Sequence, residues 1–449
     1  MITTQKAKAI VEQVLDYAKG KAQGTEVTVE SSNHSTSRFA NNSMTQNQAQ
    51  ERSVVSVRVL KNGRQARLST DDLSSAAIRK LVDDAVFATK FLEKDESLLP
   101  LPSPPKHDYP KVNRFDKDTA ELTPADRAKA VKEIIKIASA DGLEAAGVIS
   151  SRAGLIAMGN SKGLFATHKE TYCLGSITMN KDGSTGWVKA EEIKFADLDY
   201  KAMARRAADK ALANRDPIEV PPGKYRVILE PSAVLDLLFY LAWDFAATSH
   251  LDKLSCFVGR MGEKVFGENV SIVDDCTHPL QSGAPFDGEG LIRQRVNLVE
   301  NGVLKNLVCG RKSAKKMNLK ETGHGLSEPN VEGEIPVNIV IAGGNSSLEK
   351  MIQSQEKAIL LTRVWYIREV DPTAKIVTGM TRDGSFLIEN GKIVAALKNL
   401  RFNQSLIDLL NNVVDMGPAQ RVAGGEEGNA QVVPAMLVDN FNFSSITTF

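Results

Sequence analysis

Apolar and polar residues alternate in several stretches of the first hundred positions, and two other stretches have helical spacing. Strand-like alternation covers 26–32 and 54–70, and the second stretch contains Asn62-Gly63, a pair that accepts the positive φ angles of a tight hairpin turn. Helical spacing predicts an amphipathic helix over 1–20 and a second helix from about Asp71 to Phe91. This part of the chain is therefore predicted to combine a β-hairpin with helices.

The middle of the chain has clear helix boundaries. Thr123 suits the N-cap of a helix, Pro124 its first turn and Gly142 its exit. The stretches 147–163 and 168–190 then alternate like strands joined by short turns, and 199–214 again has helical spacing.

The second half has more strand and hairpin signals. A strand is predicted at 224–231, and Asn-Gly pairs predict hairpins within 297–304 and 386–394. Because hairpins dominate, the predicted fold class is α+β, two-lobed, with an N-terminal α/β lobe containing hairpins and a β-rich C-terminal domain of mostly antiparallel sheets. Helices are predicted over LDLLFYLAWDFAATSH (235–250), over 346–361 and over 403–417.

Two proline-rich breaks divide the chain. PLPSPPKHDYP at 100–110 and DPIEVPPGKY at 216–225 cannot continue a helix or a central strand, because proline lacks the amide donor. A chain of 449 residues is also too long for one ordinary core. The predicted units are an N-terminal α+β subdomain (1–99), a central α+β subdomain (106–216) and a C-terminal β-rich domain (223–449).

Composition excludes some partners. The net charge is +1, from 56 Lys and Arg against 55 Asp and Glu, so the chain has no global electrostatic footprint for nucleic acid or an anionic membrane. The four cysteines have no C-x-x-C spacing, which is typical of reduced thiols in the cytosol. With neither a signal peptide nor a long apolar run in the sequence, we expect a cytoplasmic protein.

Two segments contain residue types that could bind a metal. In 235–250, Asp244 and His250 are six positions apart, about 600° around a helix, so they would not share a face. The second segment, 274–290, is rich in possible ligands, but its Pro and Gly residues are equally typical of a polar loop, which we favour. Its possible ligands are Asp274, Asp275, Cys276, His278, Asp287 and Glu289.

The other histidines, His34, His107, His168 and His324, stand alone in the sequence, as structural or solvated side chains usually do. The sequence contains neither a phosphate-binding G-x-x-x-x-G-K-S/T loop nor a G-x-S-x-G nucleophile motif. From the residues alone, the chain is an α+β protein without a complete catalytic signature.

Several segments of the C-terminal half, in the same order, resemble the TldD/PmbA family, whose members are also called modulators of DNA gyrase and are treated as peptidases. The segments are VILEPSAVLDLL, FVGRMGEKVFGENVSIVDDCTHP, APFDGEGLIRQRVNLVENGVLKNLVCGRKSAKKMNLKETGHG and GSFLIENGKIVAALKNL. The N-terminal half resembles the family more loosely, through 37–74.

The resemblance also indicates which kind of member this chain is. TldD-like members carry H-E-x-x-x-H in the helix after the first C-terminal strand and bind zinc there, helped by a later cysteine. In this chain Phe239, Tyr240 and Asp244 occupy those places, and no cysteine follows Cys309. Phenylalanine cannot bind zinc, and a phenol with a pKa of about 10 is a poor base at neutral pH. The resemblance therefore implies a PmbA/TldE-like chain without its own zinc site.

For such a chain the resemblance implies a heterodimer with a TldD-like subunit that holds the zinc, and it allows a homodimer when the chain is alone. It implies an extended or unfolded peptide as the substrate, and the near-zero net charge argues against a nucleic-acid or membrane partner. Two alternatives stay open. One is an interaction protein that modulates DNA gyrase or toxin–antitoxin systems, and the other is an enzyme with an altered site around Asp244, His250 and His278.

Overall fold

The computed structural model describes residues 1–425 and 429–447. Two six-stranded sheets and one seven-stranded sheet form the β structure of these residues, and helices pack against them. Most strand pairs are antiparallel; the parallel exceptions among the named strands are two pairs in the C-terminal half. The predicted α+β class is confirmed.

The N-terminal half contains one six-stranded sheet. Its strands are Gly24–Ala40 (β1), Ser43–Lys61 (β2), Arg64–Thr70 (β3), Glu144–Asn160 (β4), Phe165–Lys181 (β5) and Ser184–Glu192 (β6), in the order β3-β2-β1-β4-β5-β6. Its helices are Thr4–Ala18 (α1), Ser75–Ala88 (α2), Lys117–Ala120 (α3), Pro124–Ala140 (α4) and Tyr200–Ala213 (α5), with 3-10 turns at Thr89–Phe91 and Phe195–Asp197.

Four of these helices cover the same face of the sheet. Alternate strand residues such as Val27 and Val29 are fully buried under α1 and α2, and Ile149 and Ile177 are fully buried under α4 and α5. The residues between them in sequence project from the opposite face, because side chains alternate along a strand. One face of the sheet therefore belongs to the helix-covered core, and the other face combines polar residues with an apolar cluster that includes Met158 and Phe286.

The predicted helix boundaries of this half are confirmed. The side chain of Thr123 accepts a hydrogen bond from the amide of Asp126 and completes a capping box, and Pro124 occupies the first turn of α4. Gly142 follows the helix with a φ of +64°. The helix predicted from about Asp71 begins slightly later, because Ser74 caps it.

A single sheet joins the two predicted N-terminal units. Strand β1 pairs with β4 along most of its length, from Glu26 opposite Asn160 to Phe39 opposite Gly147. The proline-rich segment at 100–110 therefore connects two parts of one sheet. The boundaries at 99, 106 and 216 stay predictions.

The C-terminal half contains the other two sheets. Its strands are Gly223–Leu229 (β7), Ile272–Asp274 (β8), Val296–Glu300 (β9), Val303–Leu304 (β10), Ile339–Ile341 (β11), Lys357–Asp371 (β12), Ile376–Glu389 (β13), Lys392–Ala396 (β14), Leu400–Ser405 (β15), Val413–Met416 (β16), Gln420–Val422 (β17), Gln431–Val433 (β18) and Met436–Ile446 (β19). Its helices are Pro231–Leu238 (α6), Ala247–Leu251 (α7), Arg311–Met317 (α8), Leu348–Gln353 (α9) and Leu406–Asn411 (α10), with a 3-10 helix at Phe239–Phe245.

The larger of these sheets closes on itself. Strand β7 pairs with β12 and β19, β19 with β15, β15 with β13, and β13 back to β12. These five strands form a closed ring, and they contribute buried aromatic residues such as Phe402, Phe441 and Phe443 to the large C-terminal core. The other sheet has the order β10-β9-β8-β11-β18-β17.

Two helix predictions of this half were wrong over most of their length. The helix predicted over 346–361 is limited to α9, and the buried apolar run from Lys357 onward forms β12. The helix predicted over 403–417 is limited to α10, between β15 and β16. In both cases pairing with distant strands overrides the local helical spacing. The Asn-Gly hairpins were predicted correctly, with positive φ at Asn62, Asn301 and Asn390.

Limited digestion with trypsin should cut first after Lys106 or Lys111, which are both exposed. Residues 103–108 form no backbone–backbone hydrogen bond with the described part of the chain. The second break is held more firmly, because Ile218 exchanges two backbone hydrogen bonds with the chain around Leu397. A double variant, Lys106→Gln with Lys111→Gln, should lose the early cut; early cleavage within 298–307 would contradict the proposed division.

Candidate functional site

The segment at 231–251 lies where the resemblance places the catalytic helix of the TldD kind. The prediction of one continuous helix over 235–250 was wrong. The segment consists of α6, a 3-10 helix over Phe239–Phe245, and α7. The break occurs because the backbone on both sides of Ala246 bonds to Val308: Val308 N donates to Phe245 O at 2.9 Å, and Ala247 N donates to Val308 O at 3.0 Å.

Asp244 is a buried member of an ion pair. Its carboxylate lies 2.6 Å from the Nζ of Lys375, which is also buried, and it accepts a hydrogen bond from the amide of Cys256 at 2.8 Å. Lys375 lies 2.6 Å from Glu369 as well. Burial alone would lower the pKa of Lys375, but the two carboxylates raise it overall, so this lysine is charged at neutral pH. The carboxylate of Asp244 is therefore occupied by an internal cation.

His250 contacts Asp244 through the backbone. Its Nε2 lies 3.0 Å from the main-chain carbonyl oxygen of Asp244, and the hydroxyl of Ser255 donates to the same oxygen at 2.9 Å. Burial lowers the pKa of His250, which favours a neutral ring whose N–H can donate to this carbonyl. The imidazole contacts the main chain of Asp244 and not its carboxylate, and it supports the backbone of the broken helix.

The two aromatic residues at the motif positions are partly buried. Their rings meet edge to face, with centroids 6.1 Å apart, and the hydroxyl of Tyr240 donates to the main-chain carbonyl of Ile367 at 2.7 Å. Tyr240 also packs against the C-terminal core. Because the ring of Phe239 is not fully buried, Phe239→Ala should lower the free energy of unfolding by less than a core phenylalanine would, for which the usual loss is about 3–5 kcal/mol.

The polar segment 274–290 is held by hydrogen bonds and ion pairs. Fully buried Asp274 contacts the Nε2 of His324 at 3.0 Å and accepts the amides of Val337 and Asn338. Burial would raise the pKa of Asp274, but His324 and the amide of Asn338 lower it overall. This pair was missed, because 50 residues separate its members and His324 stands alone in the sequence.

The turn at 286–290 is built around Asp287. Its carboxylate accepts the amides of Glu289, Leu291 and Gly325, and burial raises its pKa to about 6. Glu289 pairs with Arg311 at 2.9 Å. The acidic groups of this turn thus fix the local backbone and the adjacent helix α8, as expected of a polar loop.

The alternative metal-binding residues do not come together. His278 accepts a hydrogen bond from the amide of Leu280, and its carbonyl binds Arg114 rather than any part of Asp244. Among residues 1–425 and 429–447, no three His, Cys, Asp or Glu side chains form a group that could hold a metal ion. All four cysteines are free thiols, and burial raises the pKa of Cys309 to about 12. In the same part of the chain, no helix is both long and apolar enough to cross a membrane.

Comparisons with known proteins agree with this architecture. Models of the three PmbA/TldA metallopeptidase domains match residues 25–89 (domain 1), 117–215 (central domain) and 222–445 (C-terminal domain). The metalloprotease PmbA of Escherichia coli O157:H7 is 22% identical over 95% of each chain.

Solved structures share the fold. TldE from Thermococcus kodakarensis superposes with a TM-score of 0.88 at 19% identity, over 97% of this chain and 100% of that one. A proposed modulator of a DNA gyrase from Thermotoga maritima superposes with a TM-score of 0.85 at 20% identity, with the same coverage. With all three domains matched in order, the chain belongs to the PmbA/TldD metallopeptidase family.

Proposed function

We propose that this chain is the non-catalytic, PmbA/TldE-like subunit of a cytoplasmic two-chain metalloprotease whose zinc is held by a TldD-like partner. The observation that carries the proposal is the chemistry at the three motif positions. Phe239 has no ligand atom, the hydroxyl of Tyr240 is bonded to Ile367, and the carboxylate of Asp244 is paired with Lys375. A zinc ion would need these positions to offer free lone pairs.

The proposed substrate is an extended or unfolded peptide. Strand β3 pairs only with the stretch of β2 from Val55 to Lys61, so the outer edge of β2 over 43–54 has no strand beside it among the described residues. An extended peptide can add to such an edge through main-chain hydrogen bonds, with little sequence preference. This geometry supports a role in holding peptide for the partner's site.

A partner surface is available beside the broken helix. Five large apolar side chains in this region are exposed, and apolar surface of this kind is typical of protein–protein contacts. We expect a stable heterodimer with the TldD-like subunit, burying more than about 2,000 Å² in total, and a homodimer when the chain is alone. The five residues are Trp243, Leu251, Leu254, Val258 and Met261.

Purified alone, the chain should contain no stoichiometric zinc and cleave no peptide. Mixed with a TldD-like partner, it should support proteolysis of an unfolded protein, and a chelator should abolish that activity. The Tyr240→Phe variant removes only the hydroxyl and should leave the rate of the mixture unchanged, because the hydroxyl serves a backbone carbonyl. Zinc content by elemental analysis and peptide release by mass spectrometry provide the measurements.

Two results would contradict this function. One is a chain that binds one metal ion and cleaves unfolded substrate without a partner. The other is a fall of about tenfold or more in the Tyr240→Phe mixture, which would mean that the phenol takes part in the chemistry. Modulation of gyrase is the alternative function, and it would be favoured if the chain alone changed the supercoiling rate of purified gyrase.

A further inference from the structure

A polar cavity lies against the face of the N-terminal sheet that faces away from the four helices. Its volume is about 550 Å³, within the range of roughly 300–1,000 Å³ that is usual for small-molecule sites. The sheet supplies most of the lining, including hydroxyl groups on β1, β2 and β3, and Ala284 and Ser327 from the C-terminal half supply the opposite wall. The cavity lies outside the 231–251 segment.

Two buried polar atoms in the lining have no hydrogen-bond partner among the described residues. They are Oγ1 of Thr28 and Nε2 of His168, whose residues are 6% and 9% exposed. The nearest carboxylate oxygen of Glu170 is 3.7 Å from this Nε2, which is within ion-pair distance but longer than a hydrogen bond. Buried polar atoms are normally bonded, so two such atoms on one cavity indicate a ligand that supplies their partners.

The same lining contains two arginines that form no ion pair in the described part of the chain. Arg52 lies opposite Ser32 and Arg152 opposite His34, so the two arginines flank neighbouring positions on one face of β1. A third arginine of the lining, Arg67, is by contrast paired with Glu26 and bonded to the carbonyl of Glu328. Guanidinium groups without a carboxylate partner match the two oxygens of a ligand carboxylate, and that of Arg152 also lies 5.9 Å from the centroid of the Tyr172 ring.

The lining also contains negative charge. Glu30 is exposed and makes no ion pair among the described residues, and Glu170 accepts the amide of Gly283. These two carboxylates would repel a phosphate dianion, but they would stabilise an ammonium group. Donors and acceptors of both signs in one small cavity favour a ligand that also carries both charges.

We propose that this cavity binds a small zwitterion, namely a short peptide or amino acid with a free carboxylate and a free ammonium group. Arg52 and Arg152 bind the carboxylate, Glu30 and Glu170 face the ammonium, and the free atoms of Thr28 and His168 bond the groups between them. All of the residues in this proposed site come from this chain, so the proposal does not depend on whether the chain pairs with a catalytic partner.

Isothermal titration of the full chain with trialanine should show binding of one molecule per chain. N-acetylated trialanine and trialanine amide each lack one charge, and each should bind about tenfold more weakly or worse. A parallel titration with free alanine identifies the source: tighter binding than trialanine indicates amino acids, and weaker binding indicates peptides. No binding of either compound, capped peptides that bind as well as trialanine, or inorganic phosphate that displaces it would overturn the proposal.

Substitution of the arginines locates the site. Arg152→Gln and Arg52→Gln should each weaken trialanine binding by about tenfold or more and leave thermal unfolding unchanged, because both side chains are exposed. Arg79→Gln is the matched control, since Arg79 is also exposed but lies on α2, on the helix-covered side of the sheet. Equal affinities in the three variants and the unmodified chain would place binding elsewhere and overturn the assignment.

Discussion

Replacing Asp244 by alanine should lower the free energy of unfolding by about 3–5 kcal/mol, the usual cost of removing one partner from a buried ion pair. The side chain of Asp244 is 2% exposed and that of Lys375 is 6% exposed, so the substitution leaves a buried ammonium group with only the partly exposed Glu369 as its partner. The amide of Cys256 also loses its acceptor. Denaturant unfolding of the isolated chain measures the change.

The matched control is Glu369→Ala, which removes the other carboxylate of the same lysine. Its side chain is 31% exposed, so water can replace it and the expected cost is about 1 kcal/mol or less. A double variant, Asp244→Ala with Lys375→Met, should recover part of the loss, because no unpaired charge stays buried. Equal costs for the two single variants, or no recovery in the double variant, would contradict a buried pair. Any effect of Asp244→Ala on proteolysis by a two-chain complex would then act through stability.

Replacing Gly302 by alanine should be similarly costly. Gly302 follows Asn301 in the β9–β10 hairpin with a φ of +78°, and a Cβ there would lie 2.2 Å from the main-chain oxygen of Phe266. The positive φ costs an L-residue about 1–2 kcal/mol, and the overlap adds about 1–3 kcal/mol. The backbone cannot move easily, because Gly302 N donates to Val270 O and Gly302 O accepts the amides of Val265 and Phe266. We expect a total loss of about 2–5 kcal/mol, measured by chemical unfolding.

The other Asn-Gly hairpins provide controls with the same dipeptide. Gly63 has a φ of +74°, but a Cβ there would approach nothing closer than 3.8 Å, so Gly63→Ala should cost only about 1–2 kcal/mol. At Gly391 a Cβ would lie 2.7 Å from the main-chain oxygen of Gln353, so the loss of stability in Gly391→Ala should fall between those of Gly63→Ala and Gly302→Ala. If Gly63→Ala proved as costly as Gly302→Ala, the overlap argument would fail.

Local signals in the sequence predicted the parts of the fold that depend on local chemistry. The capping box at Thr123 and the three Asn-Gly turns follow from a few adjacent residues, and they occur where they were expected. The helices predicted over 346–361 and 403–417 failed because strands from distant parts of the chain pair there. Strand β12 pairs with β7, more than a hundred residues earlier, and no local spacing contains that information.

The candidate site was predictable in position but not in its contacts. The order of segments placed Phe239, Tyr240 and Asp244 after the first C-terminal strand, and in the structure they lie in the 3-10 helix that follows β7 and α6. Nothing near Asp244 in the sequence indicated Lys375, which comes from the turn between β12 and β13. The cavity on the N-terminal sheet was not predicted either, since it depends on which strands are neighbours and on a wall supplied by the C-terminal half.

The closed ring of five strands also determines when the chain can finish folding during its synthesis. The N-terminal sheet has all of its strands once Glu192 has been made. In the ring, β7 lies between β12 and β19, and β19 is made after every other strand of the ring. About 200 residues separate β7 from β19, which corresponds to roughly 10–40 s of translation at about 5–20 residues per second. During this time the apolar strands of the nascent C-terminal half lack their final neighbour, β19. The N-terminal sheet already has all of its strands.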